Sequence, residues 1–480
     1  MKHKKIFLFC GLAVICCLIG LAGCKQEHVH NMQFVAAAEP TCTEEGRKAY
    51  WFCKDCNKYF ADEGGATEIS PDSLAIEAAG HDVSEEWRYN GEEHWHECKR
   101  CSEKFESAPH VFGETDYCTC GFEIPSTENL AYRLSEDKSY CIITGIGDAE
   151  TEYLFIPREI DGKPVKEIAD NSFKGNTEIK SVRISSSVVS IGDYAFAGCS
   201  NLDGITIGIN VKTLGDNAFS HCKKLTEINF NAENMDDLGD IVMEYYNTAF
   251  FDAGVDENGI TVTFGDSVER IPAFLFIFSK SWEGSPNIKS VKMGKNITTI
   301  GDGAFGGCST LEKVAFSEAV TTIRLGAFAY CSGLTGELVL PDKVKTIGLQ
   351  AFSETEIIGV TIPSSVNYVG RWAFSDCKKL NEVRYKGDIA DWCAISFGGW
   401  IVEDIENLYI NNELIKDLII PEGVTNIADN VFSGFSGLTS VTISDSVTSI
   451  GSSAINSERD FRKTQQKISN NIENSLQMIA

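Results

Sequence analysis

A chain of 480 residues has room for two or three domains. Its 43% hydrophobic and 10% aromatic content is that of a globular protein and excludes wholesale disorder. A formal charge of −27 excludes a nucleic-acid partner, because phosphate binding needs clustered lysine and arginine, and solubility is the plain reading of the acidity.

Met1–Lys5 carries three lysines, and an apolar run follows from Ile6 to Leu21. A basic start before a short apolar stretch reads as a secretory signal. The run is shorter than the ~20 residues a transmembrane span needs. It ends at Leu21-Ala22-Gly23-Cys24, which resembles the lipobox of bacterial lipoprotein signals. That resemblance implies removal of residues 1–23, a lipid on the thiol of Cys24, and a place on the bacterial cell surface, held to the membrane by the lipid.

Residues 24–121 are rich in both cysteine and histidine. Of the seven histidines after the signal, six lie between His28 and His110. A disulfide framework needs only cysteines, whereas zinc uses thiolate and imidazole together. The segment also repeats itself: Cys53-Lys-Asp-Cys56 precedes Phe60, and Cys98-Lys-Arg-Cys101 precedes Phe105. Two residues between cysteines let one tight turn aim both sulfurs at one tetrahedral ion. Each pair has a Trp upstream (Trp51, Trp95) and a His downstream (His81, His110). The expected ligands are therefore Cys42, Cys53, Cys56 and His81 for one structural Zn²⁺, with His30 able to replace Cys42. For the other they are His96, Cys98, Cys101, His110 and Cys120, with His94 and Cys118 as further donors. The arrangement resembles the zinc-ribbon-like repeats near the N-termini of some bacterial surface proteins. Pairing of exported cysteines as disulfides is the alternative.

Residues 122–164 read as a β-hairpin cap. Leu130, Tyr132 and Leu134 alternate before a Glu-Asp-Lys-Ser turn, and Tyr140, Ile142 and Thr144 alternate after it.

From 165 to 456 one pattern returns, seen clearly in Ile191–Cys199 (IGDYAFAGC). Phe173, Phe196 and Phe219 are spaced by 23, as are Phe305 and Phe328, and Phe352, Phe374 and Phe432 continue the series. Cys199, Cys222, Cys308, Cys331 and Cys377 run in parallel with them. A fixed period of this size signals a stacked-coil solenoid. The phenylalanines should fill the space between coils, and the cysteines should form a buried packing ladder. Irregular insertions are expected at 231–285, with Ala249-Phe250 and Ala273-Phe274 as degenerate copies, and at 386–413, an aromatic insertion with Trp392, Cys393, Phe397 and Trp400. Residues 457–480 read as a polar tail or a weak helical cap.

Ile357–Phe374 (IIGVTIPSSVNYVGRWAF) closely resembles the unit of the BspA-like leucine-rich repeat family of bacterial surface proteins. The resemblance implies a β-rich leucine-rich repeat solenoid, with short strands and short helical turns at a period of about 23, preceded here by the small Cys/His-rich modules. It also implies adhesion to an extracellular protein or cell-surface polymer. In each coil the residues alternating outward should line one sheet face: Arg183, Thr206, Asn229, Lys292, Val339, Thr361, Arg384, Ile419 and Thr442. No catalytic constellation stands out, so a non-catalytic binding protein is expected. The alternatives are an envelope spacer gripping wall components and, more remotely, a surface enzyme using the Cys/His segment.

Overall fold

Alternation of β-branched and polar residues gives each coil a strand with one buried edge. In Gly204–Ile207, for example, Ile205 and Ile207 point inward. The computed structural model of the protein describes residues 29–240, 245–246, 248–277, 284–399 and 405–455. Cys24, Trp400 and the 457–480 tail lie outside the described residues. The chain divides into a first unit ending at His110 and a second beginning at Val111.

In the second unit most coils contribute one longer strand and one two-residue strand to separate, mainly parallel sheets. Along the longer strands, Val182, Ile205, Ile228, Val262, Val291 and Val314 lie opposite one another in a continuous inward row. At the N-terminal end Ala131–Leu134 pairs antiparallel with Cys141–Gly145, which pairs parallel with Lys163–Ile168. This hairpin covers an edge that the first coil would otherwise expose.

The A-F segments turn each coil back. Phe173, Phe196, Phe219 and Phe250 stack with centroids 4.9, 5.1 and 5.5 Å apart. Each ring is held in place by its backbone: Phe196 N–H donates to Ala218 O at 2.7 Å, and Phe328 N–H to Ala351 O at 2.8 Å. The Asp of the I-G-D motif clips one coil to the next, since Asp193 Oδ1 accepts from Asp216 N at 2.8 Å and Asp170 Oδ1 accepts from Asp193 N at 2.9 Å. The turns themselves are single turns, such as Cys199 N–H to Phe196 O at 3.2 Å. The only α-helix among the described residues is Ile389–Ala394.

Three sequence expectations are corrected here. Residues 231–285 do not interrupt the array: Glu227–Phe230, Ile260–Phe264 and Ile288–Lys292 pair in parallel, with one register shift between Ile260 and Thr261. Within them Phe276, not Phe274, takes the ladder position, 4.9 Å from Phe250 and 5.7 Å from Phe305. Phe274 instead occupies a turn position with φ 62°. The domain boundary falls after His110 rather than after residue 121, because residues 113–116 are fastened to the repeats. Arg183 donates to the carbonyls of Gly113 (2.9 Å) and Thr115 (2.7 Å), Asp116 accepts from Ser186 N (2.8 Å), and Glu114 accepts from the backbone of Asp266 and from Ser267 N.

At 386–413 a helix replaces the turn. It is capped by Asp388, which accepts from Asp391 N at 2.8 Å. Its Trp392 is fully buried between Tyr385, Phe397 and Phe435, and its indole N–H donates to Val431 O at 3.0 Å. This insertion is part of the core.

Candidate functional site

Two of the antiparallel sheets of the first unit are of related design. In one, Tyr50–Cys53 and Lys58–Phe60 form a hairpin; in the other, Glu93–Cys98 and Lys104–Pro109 do. Each hairpin tip is a Cys-x-x-Cys turn closed by a left-handed residue, Asn57 (φ 58°) or Ser102 (φ 58°), whose N–H donates to the carbonyl of the first cysteine. Arg100 N–H also faces Cys98 Sγ at 3.4 Å.

The second tip gathers four donors. Cys42, His81, Cys98 and Cys101 place their ligand atoms within 4.8 Å of one another. Cys42 Sγ lies 3.7 Å from Cys98 Sγ, and Cys101 Sγ lies 3.4 Å from His81 Nδ1. A tetrahedral ion with Zn–S of about 2.3 Å and Zn–N of about 2.0 Å sets neighbouring donors roughly 3.5–3.8 Å apart. A disulfide would need about 2.05 Å. The donor set and spacing fit zinc. On the far side of the ring, His81 Nε2 faces Glu103 Oε2 at 3.3 Å, the carboxylate contact that orients a metal-ligating histidine. Burial opposes ionisation of Cys98, but the N–H groups of Arg100 and Cys101 and the His81 ring outweigh it and bring the thiol down to about 6. Burial, with Cys101 and Cys98 alongside, pushes Cys42 up to about 12.

At the first tip His30, Cys53 and Cys56 converge, with His30 Nδ1 3.6 Å from Cys56 Sγ. His30 packs on Phe60 at 4.7 Å as His81 packs on Phe105 at 4.9 Å, so the two tips share one plan.

This partition differs from the one expected from sequence. The histidine of each cluster precedes its cysteine pair. Cys42 and His81 belong with Cys98 and Cys101 rather than with Cys53 and Cys56. The backbone explains the exchange: Ala79 N–H donates to Thr41 O (2.9 Å) and Gly80 N–H to Cys42 O (3.1 Å), which carries Cys42 across to the segment entering His81. His96 is not among the donors at this tip. Its ring stacks on Trp87 at 3.8 Å, with Nδ1 3.4 Å from Glu86 O and Nε2 3.9 Å from Glu106. His110 stands beside His94, ring centroids 5.5 Å apart, with Nε2 2.7 Å from Asn90 O. Cys118 and Cys120 stay together, in a turn closed by Gly121 N–H to Cys118 O at 2.8 Å.

The outward residues of the longer strands form true rows. Arg183, Thr206, Asn229, Thr263, Lys292 and Ala315 lie in register, as do Val339, Thr361, Arg384 and Tyr409, and then Ile419 and Thr442. Lys292, Val339, Ile419 and Thr442 are exposed. Two members are not available as expected. Arg183 is engaged by residues 113–115, and Thr361 is only 8% exposed, donating to Glu337 at 2.8 Å. Arg384 pairs with Glu382 and lies 4.0 Å over the Tyr409 ring. Period-2 alternation could have added Thr263 and Tyr409 to the row.

The BspA type leucine-rich repeat region matches this chain in six copies, over residues 166–252, 256–381 and 402–477. The chain belongs to the BspA-type leucine-rich repeat family. Among solved structures it is similar to a leucine rich cell surface protein from Faecalibacterium prausnitzii, at 21% identity and TM-score 0.28, covering 57% of this chain and 98% of that one. It is also similar to a leucine-rich repeat protein from Eubacterium ventriosum (19% identity, TM-score 0.31, 72% of this chain and 97% of that one). A third is from Bacteroides ovatus (18% identity, TM-score 0.30, 69% and 90%). No curated protein matches the sequence.

In this BspA-type array the ladder cysteines do more than fill space. Each S–H reaches the carbonyl of the phenylalanine one coil earlier: Cys199 to Phe173 O and Cys222 to Phe196 O at 3.2 Å, Cys331 to Phe305 O and Cys377 to Phe352 O at 3.1 Å. These buried carbonyls gain a donor that alanine would not supply. Burial pushes the Cys199 thiol up to about 12 and raises Cys222, Cys308 and Cys331 further, so they are poor nucleophiles and poor metal ligands.

Proposed function

We propose that this protein is a lipid-anchored cell-surface binder of an extracellular protein or a surface polymer, with no chemistry of its own. Cys24 carries the lipid, whose buried CH₂ groups contribute about 0.8 kcal/mol each to membrane attachment. Cys42, His81, Cys98 and Cys101 hold a structural Zn²⁺, and His30, Cys53 and Cys56 contribute to a second. The metal supplies folding energy to a unit with little core, and the stiffened unit follows the anchor at the head of the chain.

The observation that carries the binding reading is the in-register outward row of the longer strands. Asn229, Thr263 and Lys292 repeat one position across successive coils. A broad periodic surface suits a macromolecule better than a small metabolite. The test uses the full chain on immobilised host matrix protein and on purified cell wall. Saturable binding to either is expected, with loss of about tenfold or more for the pair Asn229→Arg and Lys292→Glu at unchanged thermal midpoint. Binding to neither surface, or binding indifferent to both substitutions, contradicts the reading. Binding to cell wall alone gives the envelope-spacer role.

A further inference from the structure

The turn side of the array carries a groove of its own. It has a volume of 690 Å³, is open to solvent, and crosses four successive coils. Lys174, Tyr194, Asn217, His221 and Phe251 line it. This size lies within the range of ligand sites. Two of its rings stand at left-handed turn positions of the coil, as Phe274, Trp372 and Tyr330 do elsewhere in the array. Tyr194 has φ 55°, at a position taken by Asn171 and Asn217 in the coils before and after it. His221 has φ 57°, at the position of Gly175 and Gly198. A bulky side chain in the left-handed region carries a steric cost that glycine does not.

We propose that this groove binds a neutral saccharide chain, with one sugar ring stacked on Tyr194. The Tyr194 side chain is 39% exposed, with Lys174 Nζ 4.5 Å from its centroid. His221 stands edge-on to Phe251 at 5.2 Å, and its Nδ1 lies 3.0 Å from Asp252 Oδ2. Lys223 Nζ lies 3.4 Å from the same carboxylate. The ammonium of Lys174, the amide of Asn217 and the His221–Asp252 pair offer donors and acceptors side by side, which suits hydroxyl groups. A balanced set of this kind gives an anion little preference, and an open groove lacks the deep apolar slot that anchors a peptide side chain. The coils repeat at the 4.9–5.5 Å spacing of the stacked phenylalanines, so successive rings of an extended glycan fall on successive turns. This site is separate from the sheet row, and either stands if the other fails.

The test is calorimetric titration of the full chain with hexasaccharides of β-1,4-linked glucose, β-1,4-linked N-acetylglucosamine and α-1,6-linked mannose. At least one should bind saturably. Tyr194→Gly and His221→Gly should each weaken that binding by about tenfold or more, with the thermal midpoint unchanged or raised because glycine relaxes the left-handed backbone. Lys292→Glu on the sheet row should leave it intact. Absence of binding by all three sugars at millimolar concentration overturns the proposal. So does full binding by both glycine variants.

Discussion

Cys98→Ser is expected to unfold the first unit while the repeats stay folded. Apart from cysteines, the buried apolar side chains among the described residues of that unit are Phe60 and Leu74 alone. Sheets this small do not hold together on so little core, and natural domains of the size add metals or disulfides. The cluster at the second tip joins Cys42, beyond the first sheet's Met32–Val35 strand, to Cys98 and Cys101 of the second. Losing one thiolate therefore releases both sheets. Chelation of the parent protein under reducing conditions should reproduce the variant. The milder Glu103→Gln, which removes only the carboxylate behind His81, should lower zinc affinity about 10–100-fold and leave the fold in place at excess metal. Scanning calorimetry should show the first-unit transition lost in Cys98→Ser and the repeat transition kept. An unchanged first-unit transition after chelation would contradict the zinc reading.

Phe328→Ala should be the costliest single change in the repeats. Its ring lies 5.3 Å from both Phe305 and Phe352, nearly parallel to each, with Phe316 edge-on at 5.8 Å. Truncation leaves a cavity between coils and should cost about 3–5 kcal/mol. Against the roughly 5–15 kcal/mol of a whole domain, that is a large fraction. Stability in a coil array is a sum of nearest-neighbour interfaces, and Phe328 serves two of them. Phe173, which has Phe196 on one side and heads the stack, should cost less on the same substitution. Denaturant midpoints of the two variants check the order. Equal losses would show that the ring stack is not the unit of coupling.

The repeat architecture was legible because its signal is redundant: Phe196, Cys199 and Ile191 recur in register, and each copy votes for the same coil. What the period hides is the work of the individual atoms. The Asp193 carboxylate capping the next coil and the Cys222 thiol donating to Phe196 O concern groups more than twenty residues apart, where spacing shows that a residue recurs but not what it touches. At 231–285 the period failed although the coils continue, because longer loops move Phe276 out of step while the strands still pair in parallel. The clustering of cysteine with histidine was legible, and which of them meet was not. Local spacing fixes each Cys-x-x-Cys turn, but whether Cys42 serves the near or the far turn depends on its hydrogen bond with Gly80. The sheet row followed from alternation, yet nothing local in Arg183 signals that residues 113–115 lie against it.

Differential thiol alkylation of the full native chain, read by mass spectrometry with and without a chelator, bears most directly on the account of a metal-held first unit and a thiol-laddered repeat unit. The expected result is that Cys42, Cys53, Cys56, Cys98 and Cys101 are protected with zinc bound and react once it is removed. Cys199, Cys222, Cys308 and Cys331 should stay unmodified in both states and react only after denaturation. A first unit whose cysteines are already joined as disulfides, or ladder thiols that label in the native protein, would contradict it.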